Sequence, residues 1–227
     1  MMCDGDLDDN LNKYEVTKFF NKHQMTLMIG RPKSGKTSLL YSFFKGQRKN
    51  RILRGVYSTV YLFQPQNSRN SIEDNIFDLL PEEQCFTELT LENLTEVNAR
   101  ITQDALDGFS ACIIYDDMAA YLKNKETLKI FKEFAMNKRH KKLSQFFLVQ
   151  TWYSVPKELR RLWDNIIIFK VSKDELANIF DEVVESADKA LPQKISKIVY
   201  TKPHQWLLIH PDTQQMFKGF DELLIEC

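Results

Sequence analysis

The sequence predicts an α/β fold in which a mainly parallel β-sheet is flanked by helices. Short, continuous apolar runs recur along the chain, and segments with helical spacing of apolar residues separate them. Strands that are apolar throughout are buried on both faces, as in parallel sheets covered by helices. The 227 residues carry 43% apolar and 27% charged side chains, which argues against a disordered, collagen-like or coiled-coil chain.

Alternating strands and helices are predicted in order along the chain. Five runs have the apolar, β-branched or aromatic character of strands: Met25–Ile29, Thr59–Phe63, Ala111–Tyr115, Gln145–Val149 and Ile166–Val171. The segments predicted as helices are Lys36–Phe44, parts of Ser71–Leu94, Leu122–Met136, a short helix from Pro156 to Leu162, Lys173–Val184 and Pro192–Tyr200. A terminal hairpin is predicted from Gln205–Ile209 and Gln215–Gly219, joined across Pro211–Thr213.

The predicted parts of the chain are a loose acidic tail over 1–11, a core over 12–171, and an extension over 172–227 packed on the core. No apolar stretch approaches 18 residues, and the start of the chain lacks the apolar segment of a secretory signal. We therefore expect neither a membrane span nor secretion. The four cysteines lie far apart and predict a reducing compartment.

Charge is unevenly distributed, although the 31 basic and 31 acidic side chains cancel. Residues 31–55 contain eight basic and no acidic side chains, and residues 123–142 contain eight basic against two acidic ones. An acidic block over 73–107 lies between them. The basic blocks are either solvated helix faces or contacts for polyanions such as nucleotide phosphates or a nucleic-acid backbone.

A glycine-rich loop follows the first predicted strand. Residues 30–37 read Gly-Arg-Pro-Lys-Ser-Gly-Lys-Thr and fit G-x-x-x-x-G-K-[ST], the P-loop or Walker A motif that binds ATP with Mg²⁺. Its N–H groups turn toward phosphate oxygens, Lys36 places its charge on the β- and γ-phosphates, and the Thr37 hydroxyl coordinates Mg²⁺. The residues predicted to bind the nucleotide are Gly30, Arg31, Pro32, Lys33, Ser34, Gly35, Lys36, Thr37 and Ser38.

Two carboxylates follow the third predicted strand. Asp116 and Asp117 end the apolar run that begins at Ala111, which is the form of a Walker B motif. We expect Asp116 to hold Mg²⁺ through its water shell and Asp117 to orient or deprotonate the attacking water. The alternative is that both acids cap the following helix.

Three later polar residues are candidates for the catalytic site. Gln150 stands at the tip of the fourth predicted strand, where an amide can contact the γ-phosphate or the attacking water. The alternative is an ordinary strand-end amide. Arg139 and Arg160 are candidates for an arginine that neutralises transition-state charge, including from a neighbouring subunit. The alternative for each arginine is a surface cation or an ion-pair partner.

The order of these motifs over residues 25–171 resembles the FtsK–HerA superfamily, and within it the poxvirus-type genome-packaging ATPases of large DNA viruses and virophages. The resemblance implies a RecA-like (ASCE) core, Mg-ATP hydrolysis, a homo-oligomeric ring (a pentamer or hexamer) and translocation of double-stranded DNA into a capsid. By matching position it implies that Arg139 is the trans arginine finger, Gln150 the sensor and Arg160 a second basic element.

The resemblance also implies capsid proteins as further partners, and location in the host cytoplasm, at the viral factory, and in the virion. One departure is Asp117, where many ATPases of this class have Glu. The shorter side chain makes its role as catalytic base less secure than the metal role of Asp116. Arg31, inside the loop, is a further candidate that would act in cis, as in terminase-type motors.

Two other classes share the phosphate loop. A nucleoside or nucleotide kinase would need an acceptor pocket and a lid carrying arginines, whereas the paired acids and Gln150 favour water as the acceptor. A GTPase would need an [NT]-K-x-D motif. Asn124-Lys125 and Asn137-Lys138 are followed at the required position by Thr127 and His140 instead.

Overall fold

The computed structural model of the chain describes residues 20, 23–45, 53, 55–66 and 76–224. Within these residues, nine strands form one sheet in the order β3-β2-β4-β5-β1-β6-β7-β8-β9. The strands are β1 (Met25–Ile29), β2 (Thr59–Phe63), β3 (Cys85–Phe86), β4 (Ala111–Asp116), β5 (Leu143–Val149), β6 (Asn165–Phe169), β7 (Trp206–His210), β8 (Gln215–Lys218) and β9 (Asp221–Glu222).

The first six strands pair in parallel, and the last three extend the sheet beyond β6, each antiparallel to the strand before it. All five residues of β1 and all seven of β5 are buried, because helices cover both faces. In a parallel sheet the carboxyl ends of the strands meet at one edge. The loops after β1, β2, β4, β5 and β6 therefore lie together at that edge.

The helices of the described residues divide unequally between the two faces. One face carries α2 (Leu91–Leu106), α3 (Lys125–Asn137), α4 (Lys173–Val183) and α5 (Leu191–Val199), whose buried side chains share one core cluster. The other face carries α1 (Lys36–Lys45), with a second cluster around Leu40 and Phe43. None of the helices within the described ranges is long and apolar enough to cross a membrane.

The predicted α/β fold is confirmed, and the strand predictions differ from the structure by at most two residues at their ends. Strands β1 and β2 have the predicted bounds. Strand β6 ends at Phe169, so Lys170 and Val171 lie in the following loop. Because these strands are buried along their whole length, each is a continuous apolar run in the sequence, and the ends of the run predict the ends of the strand.

Several elements differ from the sequence-based expectation. Helix α2 begins at Leu91, after a Thr90 cap whose hydroxyl accepts from the Asn93 N–H at 3.2 Å, whereas the predicted helical region ends at Leu94. The helix predicted over 122–136 is divided because the Asn124 side chain accepts from two backbone N–H groups and starts a new helix there. The segment after Pro156 forms only a 3₁₀ turn over Lys157–Leu159.

Part of the predicted organisation lies outside the described residues. This applies to the acidic tail over 1–11 and to four bases of the first basic block: Arg48, Lys49, Arg51 and Arg54.

Candidate nucleotide site

The phosphate loop joins β1 to α1 and is shaped by its two glycines. A Cβ on Gly30 would lie 2.6 Å from Ser34 Oγ and 2.8 Å from Phe169 Cβ, so no side chain fits there. Lys33 and Gly35 have φ values of 62° and 103°, the left-handed conformation in which successive N–H groups turn toward one point. The loop thus has the geometry that a phosphate-binding motif requires.

Lys36 lies at the first position of α1 and folds back over the loop. Its Nζ donates to the Gly30 carbonyl at 2.5 Å and to the Arg31 carbonyl at 3.2 Å. Burial lowers the pKa of Lys36, and the carboxylates of Asp116 and Asp117 oppose that shift. The ammonium group therefore lies between the loop and the two acids.

Asp116 ends β4 beside Thr37 of α1. Its carboxylate accepts from the Thr37 hydroxyl, and also from Gln64 Nε2 at 2.8 Å. Burial raises the pKa of Asp116, whereas the Gln64 amide, the Lys36 charge and the Thr37 hydroxyl act in the opposite direction. A cation bound beside Asp116 would also favour its charged form.

The donor set of Thr37 and Asp116 fits Mg²⁺. Both supply hard oxygen atoms, and Mg²⁺ in nucleotide sites binds through one or two protein ligands together with waters and phosphates. Across the described part of the chain, no cluster of three or more His, Cys, Asp or Glu side chains forms a dedicated metal cage. A nucleotide-dependent magnesium site agrees with this arrangement.

Asp117 has a different environment from Asp116. Its φ of 58° lies in the left-handed region, which is uncommon for residues with a side chain. Besides Gly, Asn and Asp are the residue types that adopt this conformation most readily. Its two carboxylate oxygens each accept from Gln150 Nε2 at 3.2 Å. The backbone turn thus directs Asp117 away from the strand and toward the glutamine that follows β5.

One cavity of about 330 Å³ collects most of the predicted site. Its lining residues are Pro32, Lys33, Lys36, Thr37, Ser38, Tyr41, Asp116, Asp117, Leu148, Val149 and Gln150. Eight of these are predicted site residues; Tyr41, Leu148 and Val149 are not. The loop, the acidic pair and the glutamine therefore meet at the carboxyl edge of the sheet.

The candidate arginines lie elsewhere. Arg139 is exposed in the turn that precedes β5, so the seven residues of that strand, about 20 Å of chain, separate it from the cavity of its own subunit. Arg31 belongs to the loop, but its side chain is exposed and does not line the cavity.

Arg160 is 8% exposed and is bound within its own subunit. Its guanidinium pairs with Glu182 at 2.6 Å, donates from Nε to the Val155 carbonyl at 3.1 Å, and stacks 5.0 Å from the centre of the Trp152 ring. The structure therefore does not bring Arg160 to the nucleotide cavity and gives it the alternative role, that of an ion-pair partner.

Two residues of the site region are missed by the sequence reasoning. Gln64 directly follows β2 and is 4% exposed, and the same signal that identifies Gln150, an amide at a strand tip, could have found it. His204 comes from the loop between α5 and β7, and its Nδ1–H donates to the Ser34 carbonyl at 3.0 Å. Ser34 and His204 are 170 positions apart in the chain, so no local pattern indicates their contact.

The chain is similar to known proteins in sequence and in fold. The sequence model of the family described as Poxvirus A32 protein matches residues 11–212. No curated protein matches the chain.

Solved structures share the fold. The genome packaging NTPase B204 of Sulfolobus turreted icosahedral virus 2, with sulfate, is 17% identical with a TM-score of 0.64, covering 92% of this chain and all of its own. B204 of Sulfolobus turreted icosahedral virus, described as a DNA-packaging ATPase, is 16% identical with a TM-score of 0.64. The match covers 91% of this chain and 100% of that one. EssC from Geobacillus thermodenitrificans is 10% identical with a TM-score of 0.52, covering 83% of this chain and 38% of its own.

The match of the family sequence model covers most of the chain and confirms the resemblance to the poxvirus-type packaging ATPases, while the solved structures confirm the RecA-like fold. The chain belongs to the Poxvirus A32 protein family.

Proposed function

We propose that this chain is an Mg²⁺-dependent ATPase that acts as a homo-oligomeric motor, translocating double-stranded DNA during viral genome packaging. The observation that supports it best is the convergence of Lys36, Thr37, the acidic pair and Gln150 on one cavity. The fold is shared with a genome packaging NTPase whose structure was solved with ATP-gammaS. A hydrolase needs these groups on one side of the phosphates, and the cavity supplies them.

The residues of the cavity divide the work of hydrolysis. The loop N–H groups and Lys36 hold the phosphates, and Thr37 and Asp116 would hold Mg²⁺, which neutralises the phosphate charge when bound. Asp117 is positioned to accept a proton from the attacking water. The Gln150 amide donates to the Asp117 carboxylate and lines the same cavity. From there it would contact the γ-phosphate or the attacking water.

The charge that develops on the transferred phosphoryl group needs a further cation. No arginine lines the cavity among the residues that the structure describes. Arg139 is exposed at the opposite edge of the sheet, so it would serve only the site of an adjacent subunit. The proposal therefore includes assembly as a condition for full activity.

Contacts within the subunit reduce the number of lysines available to DNA in the second basic block. Lys132 pairs with Glu158, Lys138 pairs with Asp164, and Lys141 bonds to Asn98 and Thr102. These three lysines stabilise the fold around α3. We therefore expect DNA contacts to come mainly from other basic residues.

The test measures Mg²⁺-dependent ATP hydrolysis with and without double-stranded DNA, on protein whose assembly is checked by light scattering. Lys36→Ala provides the inactive control, and Lys157→Ala, an exposed lysine outside the site, provides the matched control. We expect DNA to stimulate hydrolysis in the wild type and in Lys157→Ala only. Assembled protein that hydrolyses ATP at the same rate with and without DNA contradicts the motor. A requirement for an added nucleoside instead supports the kinase.

A further inference from the structure

A second cavity, also of about 330 Å³, lies between the start of α4 and one side of α5. Its polar lining is basic: Lys170 follows β6, Lys173 opens α4 and Lys197 belongs to α5. None of the described residues that line it is acidic. None of the three lysines forms an ion pair with another described residue.

The rest of the lining suits a phosphorylated organic ligand. Ser172 and Ser196 add hydroxyl groups, while Leu176 and Pro192 supply a buried apolar wall. Tyr200 also lines the cavity, with its hydroxyl donating to the Ile168 carbonyl at 2.9 Å. Three unpaired cations are stable in solvent, yet their convergence on one concave surface concentrates positive potential there.

The carboxylates nearest in sequence do not neutralise this potential. Glu175, on the first turn of α4, accepts from the Thr151 hydroxyl and the Trp152 N–H, both at 2.7 Å. Its carboxylate is thus bound to the loop after β5, and Glu175 does not line the cavity. Asp174 is exposed and does not line the cavity.

Both chain segments that border this cavity continue into contacts with the phosphate loop. Phe169, just before Lys170, lies against Gly30 and Gly35. The loop after Tyr200 brings His204 to the Ser34 carbonyl. The cavity therefore neighbours the ATP site, and the two have no lining residue in common within the described ranges.

We propose that this lysine cavity is a second phosphate-binding site, which takes a nucleotide unit with its phosphate on Lys170, Lys173 and Lys197. If the phosphate belongs to the DNA backbone, this proposal rests on the proposed function as a DNA motor. A free nucleotide offers the same chemistry, and the experiment separates the two sources.

The first arm measures binding of a short, fluorescein-labelled DNA duplex by anisotropy over a series of salt concentrations, with ATP-gammaS and Mg²⁺ present. The variant carries Lys170→Ala, Lys173→Ala and Lys197→Ala, and the matched control carries Lys157→Ala, Arg161→Ala and Lys189→Ala, all exposed basic residues elsewhere. We expect the cavity variant to bind DNA at least about tenfold more weakly. Its salt slope should be shallower by roughly 0.9 for each DNA phosphate that it no longer neutralises.

The second arm counts binding sites for a fluorescent ATP analogue. If the ligand is a free nucleotide, the wild type binds two analogues per chain, the cavity variant binds one, and DNA affinity is unchanged. A variant that equals its control in both arms, with an unchanged melting temperature, overturns the proposal. If the wild type hydrolyses ATP but binds no DNA, the proposed motor function is wrong. The second arm alone then tests the proposed phosphate site: two analogues bound per chain support it, and one analogue per chain refutes it.

Discussion

Asp116 and Asp117 are adjacent in the chain, yet the structure gives them separate partners. Gln64, after β2, donates to Asp116, and Gln150, after β5, donates to Asp117. Strands β2 and β5 lie on opposite sides of β4, so each carboxylate is held from a different direction. The Gln64 Oε1 is buried and has no hydrogen-bond partner among the described residues, which is the cost of presenting its amide N–H to Asp116.

Gln64→Met is expected to weaken magnesium binding while the fold is retained. Methionine fills a similar volume but cannot donate, so Asp116 loses the group that fixes its orientation. Loss of such an outer partner typically reduces metal affinity by about 10- to 100-fold. The measurements are the Mg²⁺ concentration that gives half-maximal ATPase activity and the Mg²⁺-dependent shift in melting temperature with ATP-gammaS.

The control for this substitution is Gln145→Met. Gln145 is also buried, but it lies early in β5 and accepts from the Tyr115 hydroxyl, away from the metal ligands. It should affect stability without changing the magnesium midpoint. If both variants have the wild-type midpoint, Gln64 does not position Asp116.

Asp117→Asn is expected to abolish most hydrolysis and to retain binding of Mg-ATP. Asparagine adopts a positive φ as readily as aspartate, so the backbone turn is preserved while the proton acceptor is removed. General-base groups contribute about 10²- to 10⁴-fold to rates. Single-turnover hydrolysis and equilibrium binding of a fluorescent ATP analogue separate the two effects. Asp212→Asn, in the exposed hairpin turn, is the control, and near-normal hydrolysis by Asp117→Asn would exclude Asp117 as the base.

At the scale of elements, helix α4 is tied to the segment that follows β5. Glu175 binds Thr151 and the Trp152 N–H, and Glu182 binds the Trp152 indole at 3.2 Å and Arg160 at 2.6 Å. This segment starts directly after Gln150. The position of the Gln150 amide therefore depends on α4 as well as on its own strand.

Arg160→Met is expected to lower the free energy of unfolding by about 1–3 kcal/mol, below the usual cost of breaking a fully buried pair because Glu182 is partly exposed. Denaturant unfolding measures it, and Arg161→Met, the exposed neighbour, should have little effect. An unchanged unfolding free energy combined with abolished hydrolysis would instead restore Arg160 as a transition-state arginine.

The elements differ in how well the sequence indicates them. Apolar runs such as Ile166–Phe169 are buried on both faces, so local composition predicts them and the site that follows their ends. Helix α2 is mostly polar, with only Leu94, Val97 and Ile101 fully buried, and its Thr and Asn residues weaken the helical pattern. Strand β3 has two residues and depends on pairing with β2. Such tertiary dependence cannot be read from a single segment.

At the scale of the whole molecule, the separation of Arg139 from its own cavity makes a test of assembly possible. Lys36→Ala and Arg139→Ala should each be inactive alone. If the arginine acts across subunits, mixing them restores hydrolysis, since an Arg139→Ala site can face an intact arginine on a Lys36→Ala neighbour. Random mixing of equal amounts recovers roughly a quarter of the interfaces.

The matched control is a mixture of Arg139→Ala with the double variant Lys36→Ala/Arg139→Ala, in which no site meets an arginine. Hydrolysis there must stay at background. Co-assembled mixtures of the two single variants that remain inactive would contradict a role for Arg139 in trans.

The contact between His204 and the Ser34 carbonyl joins the phosphate loop to the loop between α5 and β7, 170 positions later in the chain. The same loop leads into β7, the strand that pairs with β6. Local opening of this loop therefore removes a restraint on Ser34, and the stability of one region is thermodynamically linked to the other.

Nucleotide binding should slow amide hydrogen exchange in residues 200–206 as well as in the phosphate loop, which mass spectrometry can measure. His204→Ala should abolish the distant protection while the loop itself remains protected. Hydrogen exchange in residues 200–206 would then report on whether ATP is bound.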